Sequence, residues 1–458
     1  MVKSKKMKKE KNRVLIVLFV LGLTLQLNIS TAQTSLDDLL GYALEHSREI
    51  KKAGLQTEEA GYKRKEVLGQ GLPQAEATGT YTKMMIDEIE ISESMYAMVP
   101  EQYAPILDQI AGIDALYTAS AGVQVTQLIY SQAWLVGLKT TKKAQELYEI
   151  LENKTEDEVI EEVANSYYQT YSLILQLNTL ENSLNNLNEI YKIVELSYEN
   201  DFVKESDVDR LKVTITNLEV NQQTIENVID IQLNYLKALA GLPVDTILAI
   251  DTTIIYNTAN AIGLDTAFTV EDVPAYQLLL KQCELNDQQV KLAKANYYPT
   301  LAAFGKFNYS SYNIEPEIES WHNMNTIGVQ LSIPLFTSGT NNAKVKQAQL
   351  QKAQAEETLL QTKDLLAIGY NSALSEYQTA WEMLEVQLEN RSLAQKVYRQ
   401  TTLLYKEGMA SMADVLNVNS DFLQADNSYN QQLLKCRLAE VKMLKSTGNL
   451  KQLMNNEQ

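Results

Sequence analysis

From Leu138 to Ala240 the chain runs for 103 residues without a glycine or a proline. Proline removes a backbone donor and glycine weakens a helix interior, so a stretch that excludes both reads as long helix. No proline follows Pro334, and only Gly339, Gly369, Gly408 and Gly448 punctuate that second stretch. Within the first, Leu177, Leu180, Leu184, Leu187, Tyr191, Val194 and Tyr198 recur at alternating spacings of three and four. That heptad stripe predicts coiled-coil packing. Leu366, Ala373, Tyr377, Ala380, Leu384 and Leu388 form a similar stripe, in which the alanines allow close helix approach. A helix from Ala133 to Glu199 would be about 100 Å long, more than a compact core requires. The stripes are core seams and imply no ligand.

The chain is internally duplicated. Leu72–Ala75 matches Tyr298–Leu301 at an offset of 226, and Gly122-Val123-Gln124 matches Gly328-Val329-Gln330 at 206. Tyr198, Asp207-Val208 and Gly241 match Tyr405, Asp414-Val415 and Gly448, each at 207. The drop in offset places extra residues between Pro73 and Gly122, in a loop. Each half reads as short helix, strand, loop, strand, very long helix, turn and medium helix. The first repeat spans 33–241, with helices over 37–66, 133–199 and 205–240 and strands over 74–86 and 116–130. The second spans 273–448, with helices over 274–296, 340–407 and 411–447 and strands over 299–312 and 325–336. A linking segment, 242–272, separates them, and a tail follows at 449–458.

Between Thr326 and Phe336, Ile327, Val329, Leu331, Ile333 and Leu335 alternate with small or polar residues. The partner strand alternates through Leu301–Ser310. Ala121, Val123, Val125 and Ile129 keep the pattern in the first half with Gln127 as a breach, and 75–83 keeps it weakly. Such alternation fits a half-buried soluble strand or a lipid-facing one. Strands of this length with aromatic ends fit an outer-membrane barrel, but four strands cannot close one. An open edge in lipid leaves backbone groups unpaired, so the chain is expected to oligomerise through its sheet edges.

Composition narrows the function. The chain holds 58 acidic and 40 basic side chains, a net charge of −18. Residues 1–32 carry seven Lys/Arg and one acid, so the remainder carries 33 positive and 57 negative charges, or −24. Nothing in that body neutralises phosphates, which excludes nucleic acid as a partner. The basic stretch Lys3–Arg13, the apolar run Val14–Leu27 and the small residues Ser30 and Ala32 read as a cleaved signal peptide, residues 1–32. An uncleaved anchor is the alternative reading. With two cysteines and two histidines the chain fits neither a zinc protein nor a disulfide scaffold, and Cys283 and Cys436 read as buried thiols. His46 and His322 have no nucleophile–base partner or metal spacing around them, so no enzyme activity, cofactor or metal is expected. Met84, Met85, Met95 and Met98 cluster near the first loop, and gap-filling accounts for them better than metal handling.

On these stretches the chain resembles the TolC-family outer-membrane efflux proteins across nearly all of its length after residue 32. The carrying motifs are Ala295-Asn-Tyr-Tyr-Pro-Thr-Leu301, Gly328-Val-Gln-Leu-Ser-Ile-Pro-Leu-Phe336 with Gly339, and Tyr405-Lys-Glu-Gly408 leading to Asp414-Val-Leu416. Ala425 and Tyr429 fit the helix that follows.

The resemblance implies a mainly α fold with a small membrane β part. A homotrimer would build an α-barrel tunnel in the periplasm, topped by a shared twelve-stranded β-barrel in the outer membrane of a Gram-negative bacterium. Ile327, Val329, Leu331, Ile333 and Leu335 would face lipid. The tunnel would close at its periplasmic tip, where Asp207, Tyr405, Asp414 and Asn417 are candidate gate residues. Ala410 stands where the family carries a locking arginine, and Asn417 where it carries a second aspartate. The simpler reading of Asp207 and Asp414 is helix N-terminal charge stabilised by the dipole. The turns Asn200, Asp201, Phe202 and Gly408, Met409, Ser411 would touch a periplasmic adaptor, which links to an inner-membrane transporter. That layout puts the two cysteines about 39 Å apart in height, beyond disulfide reach.

The function implied is a passive exit duct for small molecules, with an acidic lumen favouring cationic or neutral solutes. Type I protein secretion through the same duct is the alternative. A periplasmic coiled-coil adaptor or a secreted structural coiled coil would explain the heptads but not the strand pairs.

Overall fold

The structure is a computed structural model that describes residues 33–86, 91–106, 113, 115–252, 268–314, 316 and 320–455. The signal peptide expected over 1–32 and parts of both strand-connecting loops and of the linking segment lie outside the described residues. The elements are α1 (Leu36–His46), α2 (Arg48–Gly69), β1 (Gln74–Met85), β2 (Ala115–Ser131), α3 (Gln132–Glu199) and α4 (Glu205–Ala240). They continue with α5 (Pro274–Ala295), β3 (Thr300–Asn313), β4 (His322–Ser332), α6 (Thr340–Lys406) and α7 (Met412–Ser446). The fold is mainly helical with one small sheet, and no helix among the described residues is apolar and long enough to cross a membrane.

The duplication is visible in the element starts. The pairs α2/α5 and β1/β3 begin 226 residues apart, and α4/α7 begin 207 apart. The same offsets relate two close backbone contacts. Gly241 and Gly448, both left-handed at φ +79 and +73, close α4 and α7. A side chain at Gly241 would collide with the carbonyl of His46, and one at Gly448 would come within 2.7 Å of the Asp272 carbonyl. Only glycine meets both demands, the positive φ and the close approach.

This contact corrects one expectation. The helix read over 37–66 is two helices, because Ser47, buried and at ψ 135, breaks it where Gly241 approaches. The strand read to 336 ends at Ser332, since Pro334 offers no ladder donor. The tail is a short 3-10 helix, Leu450–Asn455, that buries Leu450 and Leu453.

The chain divides into two compact units, whose boundaries fall inside α2, α3, α5 and α6. One unit comprises the chain through Leu55, Ile150–Gln277 and Gln361 onward. Its larger core packs Leu36, Leu39 and Leu40 of α1 with Ile160, Val163 and Tyr167 of α3, Leu236 of α4 and Leu433, Cys436 and Leu444 of α7. A second core near the helix turns packs Leu184, Leu187, Ile190 and Val194 with Leu211 and Ile215 of α4 and Met412 and Val415 of α7.

The other unit, Gln56–Glu149 and Leu278–Leu360, carries the sheet. The Trp134 indole N–H donates to the Val67 carbonyl at 2.8 Å. Lys143, Glu146, Lys281 and Glu284 form a ring of ion pairs of 2.8–3.2 Å across α3 and α5. The Lys143 ammonium holds both glutamates below the usual carboxylate range.

The sheet is an antiparallel meander in the order β1-β2-β3-β4, which leaves β1 and β4 as edges. Directly paired residues share a face, and the register puts odd numbers on one face and even numbers on the other across most of its length. Odd positions include Ala75, Ala77, Val123, Val125, Ala303, Phe307, Ile327, Val329 and Leu331. Even positions include Thr78, Thr80, Thr118, Ser120, Gln124, Asn308, Ser310, Thr326 and Gln330. Gln127, on the odd face, donates from its amide to the Gly71 carbonyl at 2.6 Å, so its polarity is used at the base of the sheet. A register shift between Leu128 and Tyr130 ends the regular alternation there.

Candidate functional site

The two helix turns are built alike, 207 residues apart. After α3, the Asp201 N–H donates to the Tyr198 carbonyl and the Phe202 N–H to the Ser197 carbonyl, both at 2.9 Å. After α6, Gly408 donates to Tyr405 at 3.0 Å and Met409 to Leu404 at 2.8 Å. Each pair ends its helix through one left-handed residue, Asp201 at φ 60 or Gly408 at φ 73. The pairing projects Phe202 and Met409 outward, 85% and 67% exposed, so each turn presents one large apolar side chain. Asn200 donates to the Leu196 carbonyl at 2.7 Å and stays exposed.

The following helices start differently. Ser411 caps α7: its backbone N–H donates to the Asp414 carboxylate at 3.0 Å and its hydroxyl at 2.6 Å, while the Asp414 N–H donates back to the hydroxyl at 3.2 Å. This capping box holds the Asp414 carboxyl below its ordinary value. Lys204 occupies the matching place before α4 and makes no side-chain cap, so Asp207 lacks a capping partner there. Asp207 lies half-buried beside Tyr405, whose phenol burial, and then the Asp207 charge, push upward. Asn417 is exposed on the first turns of α7. The Asp207 charge therefore acts on Tyr405 with no hydrogen bond between them among the described contacts, while Asp414 is tied to Ser411.

Of the strand residues, Ile327, Val329 and Leu331 project from the odd face of β4 and are widely exposed. Ile333 and Leu335 lie past the strand end, Leu335 at 91% exposed. Cys283 and Cys436 are free thiols. Cys436 is buried, donates to the Ala380 carbonyl at 3.1 Å, and is pushed up to about 11 by that burial.

Sequence reasoning missed two buried polar groups. Asp426 of α7, 1% exposed, accepts from Arg391 of α6 at 2.5 Å, Thr179 of α3 at 2.6 Å and Asn430 at 3.0 Å. Arg437 donates to Glu440 at 2.8 Å, and burial pushes the Glu440 carboxyl up against the pull of that arginine. Both look like surface charges in a heptad pattern, and only the packing of three helices shows that they are enclosed. Among the described residues, no three His, Cys, Asp or Glu side chains gather as a metal site.

Comparison with known proteins places this geometry. Residues 280–449 match the family model for outer membrane efflux proteins. Outer membrane protein TolC of Salmonella enteritidis is 21% identical over 384 residues, covering 75% of this chain and 74% of that one. The chain is thus similar to TolC-family outer membrane efflux proteins. Among solved structures, VceC of Vibrio cholerae superposes with a TM-score of 0.68 at 16% identity, over 90% of this chain and 96% of that one. The Campylobacter jejuni CmeC channel gives 0.72 at 15% identity, over 92% and 89%. The outer-membrane channel fold thus spans both repeats, whereas the family signature lies in the second.

Proposed function

We propose that the protein is an exit duct of the outer membrane. Three copies join their sheets into one barrel and continue it as a helical tunnel. Small molecules delivered by a periplasmic adaptor and an inner-membrane transporter leave through it. The observation that carries this reading is the sheet: one apolar face, one polar face and two open edges. Unpaired edge groups in hydrocarbon cost several kcal/mol each, and four strands cannot close alone, so copies pair β4 to β1. The polar face then lines water and the apolar face meets lipid. The relatives are channels rather than enzymes, and conduction here is steric and electrostatic. Phe202 and Met409 give the adaptor an apolar foothold at each turn. Tyr405, Asp207, Asp414 and Asn417 ring the tunnel end, where helix movement opens or narrows it.

The test is a deletion strain challenged with toxic small compounds and assayed for secreted proteins, alongside purified protein in lipid bilayers. Hypersensitivity with normal secretion, and a conducting trimer, are expected. Lost secretion with unchanged sensitivity would move the reading to type I export. A monomer without conductance would refute the duct.

A further inference from the structure

We propose that Glu76 and Lys306 set the charge selectivity of the barrel lumen, an assignment that rests on the exit-duct reading. The even face of the sheet is almost entirely neutral. Among the described strand residues its even positions carry Thr, Ser, Asn, Gln and apolar side chains, with two charged exceptions, Glu76 on β1 and Lys306 on β3; His322 sits two rows away.

Those two exceptions share one row of the sheet. Glu76 pairs with Gln124, Gln124 with Lys306, and Lys306 with Thr326, a single row running straight across the sheet. Two strand spacings separate the charges, about 10 Å, with the neutral Gln124 between them. Both side chains are exposed, and neither is ion-paired among the described residues. The adjoining row is Gln74, Thr126, Phe304 and Gly328. There the Phe304 ring lies over Gly328, where an added Cβ would come within 2.9 Å of it. An aromatic ring therefore covers Gly328 on the polar face, next to the charged row.

In a closed trimer the row becomes a belt of three carboxylates and three ammonium groups, the two sets offset along the pore because barrel strands tilt. The belt is neutral, although the exported chain is strongly acidic, so it neither repels anions nor concentrates cations. Removing one sign leaves three like charges within about one Debye length of the pore axis at 0.1 M salt. Charges at that range shift the ratio of cation to anion permeability by about two- to three-fold, and by more at lower salt.

The test is the reversal potential of the purified trimer in planar bilayers under a KCl gradient. K306Q is expected to raise the cation preference and E76Q to lower it, while E76Q/K306Q returns close to wild type. K83Q changes a charge on the opposite face and leaves the potential unchanged. Should a charge substitution impair assembly, E76C and K306C in a C283S/C436S background give a second reading. Charged membrane-impermeant thiol reagents should react there and change conductance. A conducting wild type whose selectivity ignores both K306Q and E76Q, or cysteines that never react, overturns the assignment alone. A wild type that does not conduct overturns the duct reading and this assignment with it.

Discussion

Replacing Arg391 by methionine tests whether buried charge fixes α7 to its neighbours. The substitution keeps the aliphatic reach and leaves Asp426, 1% exposed, without its cation. Removing one partner of a buried pair costs about 3–5 kcal/mol. Asp426 keeps Thr179 and Asn430 as donors, and Arg391 was itself about a quarter exposed, so the cost belongs near the lower end, about 3 kcal/mol. That corresponds to roughly a hundred-fold faster exchange of amide hydrogens around residue 426, where they exchange through local opening. R391M/D426L removes both charges, and a buried pair replaced by apolar side chains is commonly neutral or stabilising. The double variant should therefore recover most of the lost protection. Hydrogen-exchange mass spectrometry on the detergent-solubilised protein reads all three. If R391M and R391M/D426L exchange equally fast, the lost packing of Arg391 over the Tyr429 ring matters and the charge does not.

The remaining predictions use other contacts. Glu440 carries a raised pKa, so the fold binds its proton more readily than the unfolded chain. Its contribution to stability is present at low pH and is lost as pH rises through the raised value. Protection of α7 amides, measured against pH, should fall with rising pH in wild type and flatten in E440Q. Asp414 is the opposite case: its lowered pKa contributes stability at neutral pH that is lost on acidification, and D414N should remove that loss at the start of α7. Cys436, buried and near 11, should resist a maleimide at pH 7.5 under native conditions, and both thiols should label after denaturation without reductant. Labelling that requires reductant would show a disulfide. At the turns, G408A should destabilise by about 1 kcal/mol, while D201G relieves a non-glycine left-handed residue and costs little, which local exchange rates would separate.

Much of this fold is legible in the residues because its constraints are local. Glycine and proline exclusion marks the long helices, and the heptad stripe names Leu180, Leu184, Leu187 and Val194, all buried. The break between α1 and α2 was also within reach. Pro274 opens α5, and the offset of 226 carried back from it falls on Arg48, where α2 begins. The apolar content of 37–66 hid it, since His46 and Ser47 carry no strong breaker and the cause is Gly241, almost two hundred residues away. The site is less legible. Ser411 and Asp414 have capping-box spacing, which the sequence displays. Arg391 and Asp426 do not announce their burial, because each is an ordinary helix-surface residue until α3 covers them. Glu76 and Lys306 meet only through the register of three strands.

The duplication persists where the backbone has no alternative and lapses where side chains do. Gly241 and Gly448 keep both their glycine and their close carbonyl, since any Cβ there meets backbone. The polar groups of the second half have no such counterparts. At the offset of 207, Arg391 corresponds to Leu184, Asp426 to Glu219, Glu440 to Leu233 and Trp381 to Ile174. Leu184 is buried in an apolar core and Glu219 is exposed, so the pair formed in one half is dissolved in the other. α7 is therefore held to α6 by charge and to α3 by a hydrogen bond to that buried charge, as well as by apolar packing, whereas α4 meets α3 through an apolar core. Apolar burial has no titrating group, whereas the enclosed Glu440 of α7 responds to protons and Asp426 to loss of its cation. Changes in pH that leave α4 packed thus act on α7, the helix that Ser411 caps and that carries Asp414 and Asn417 at the turn.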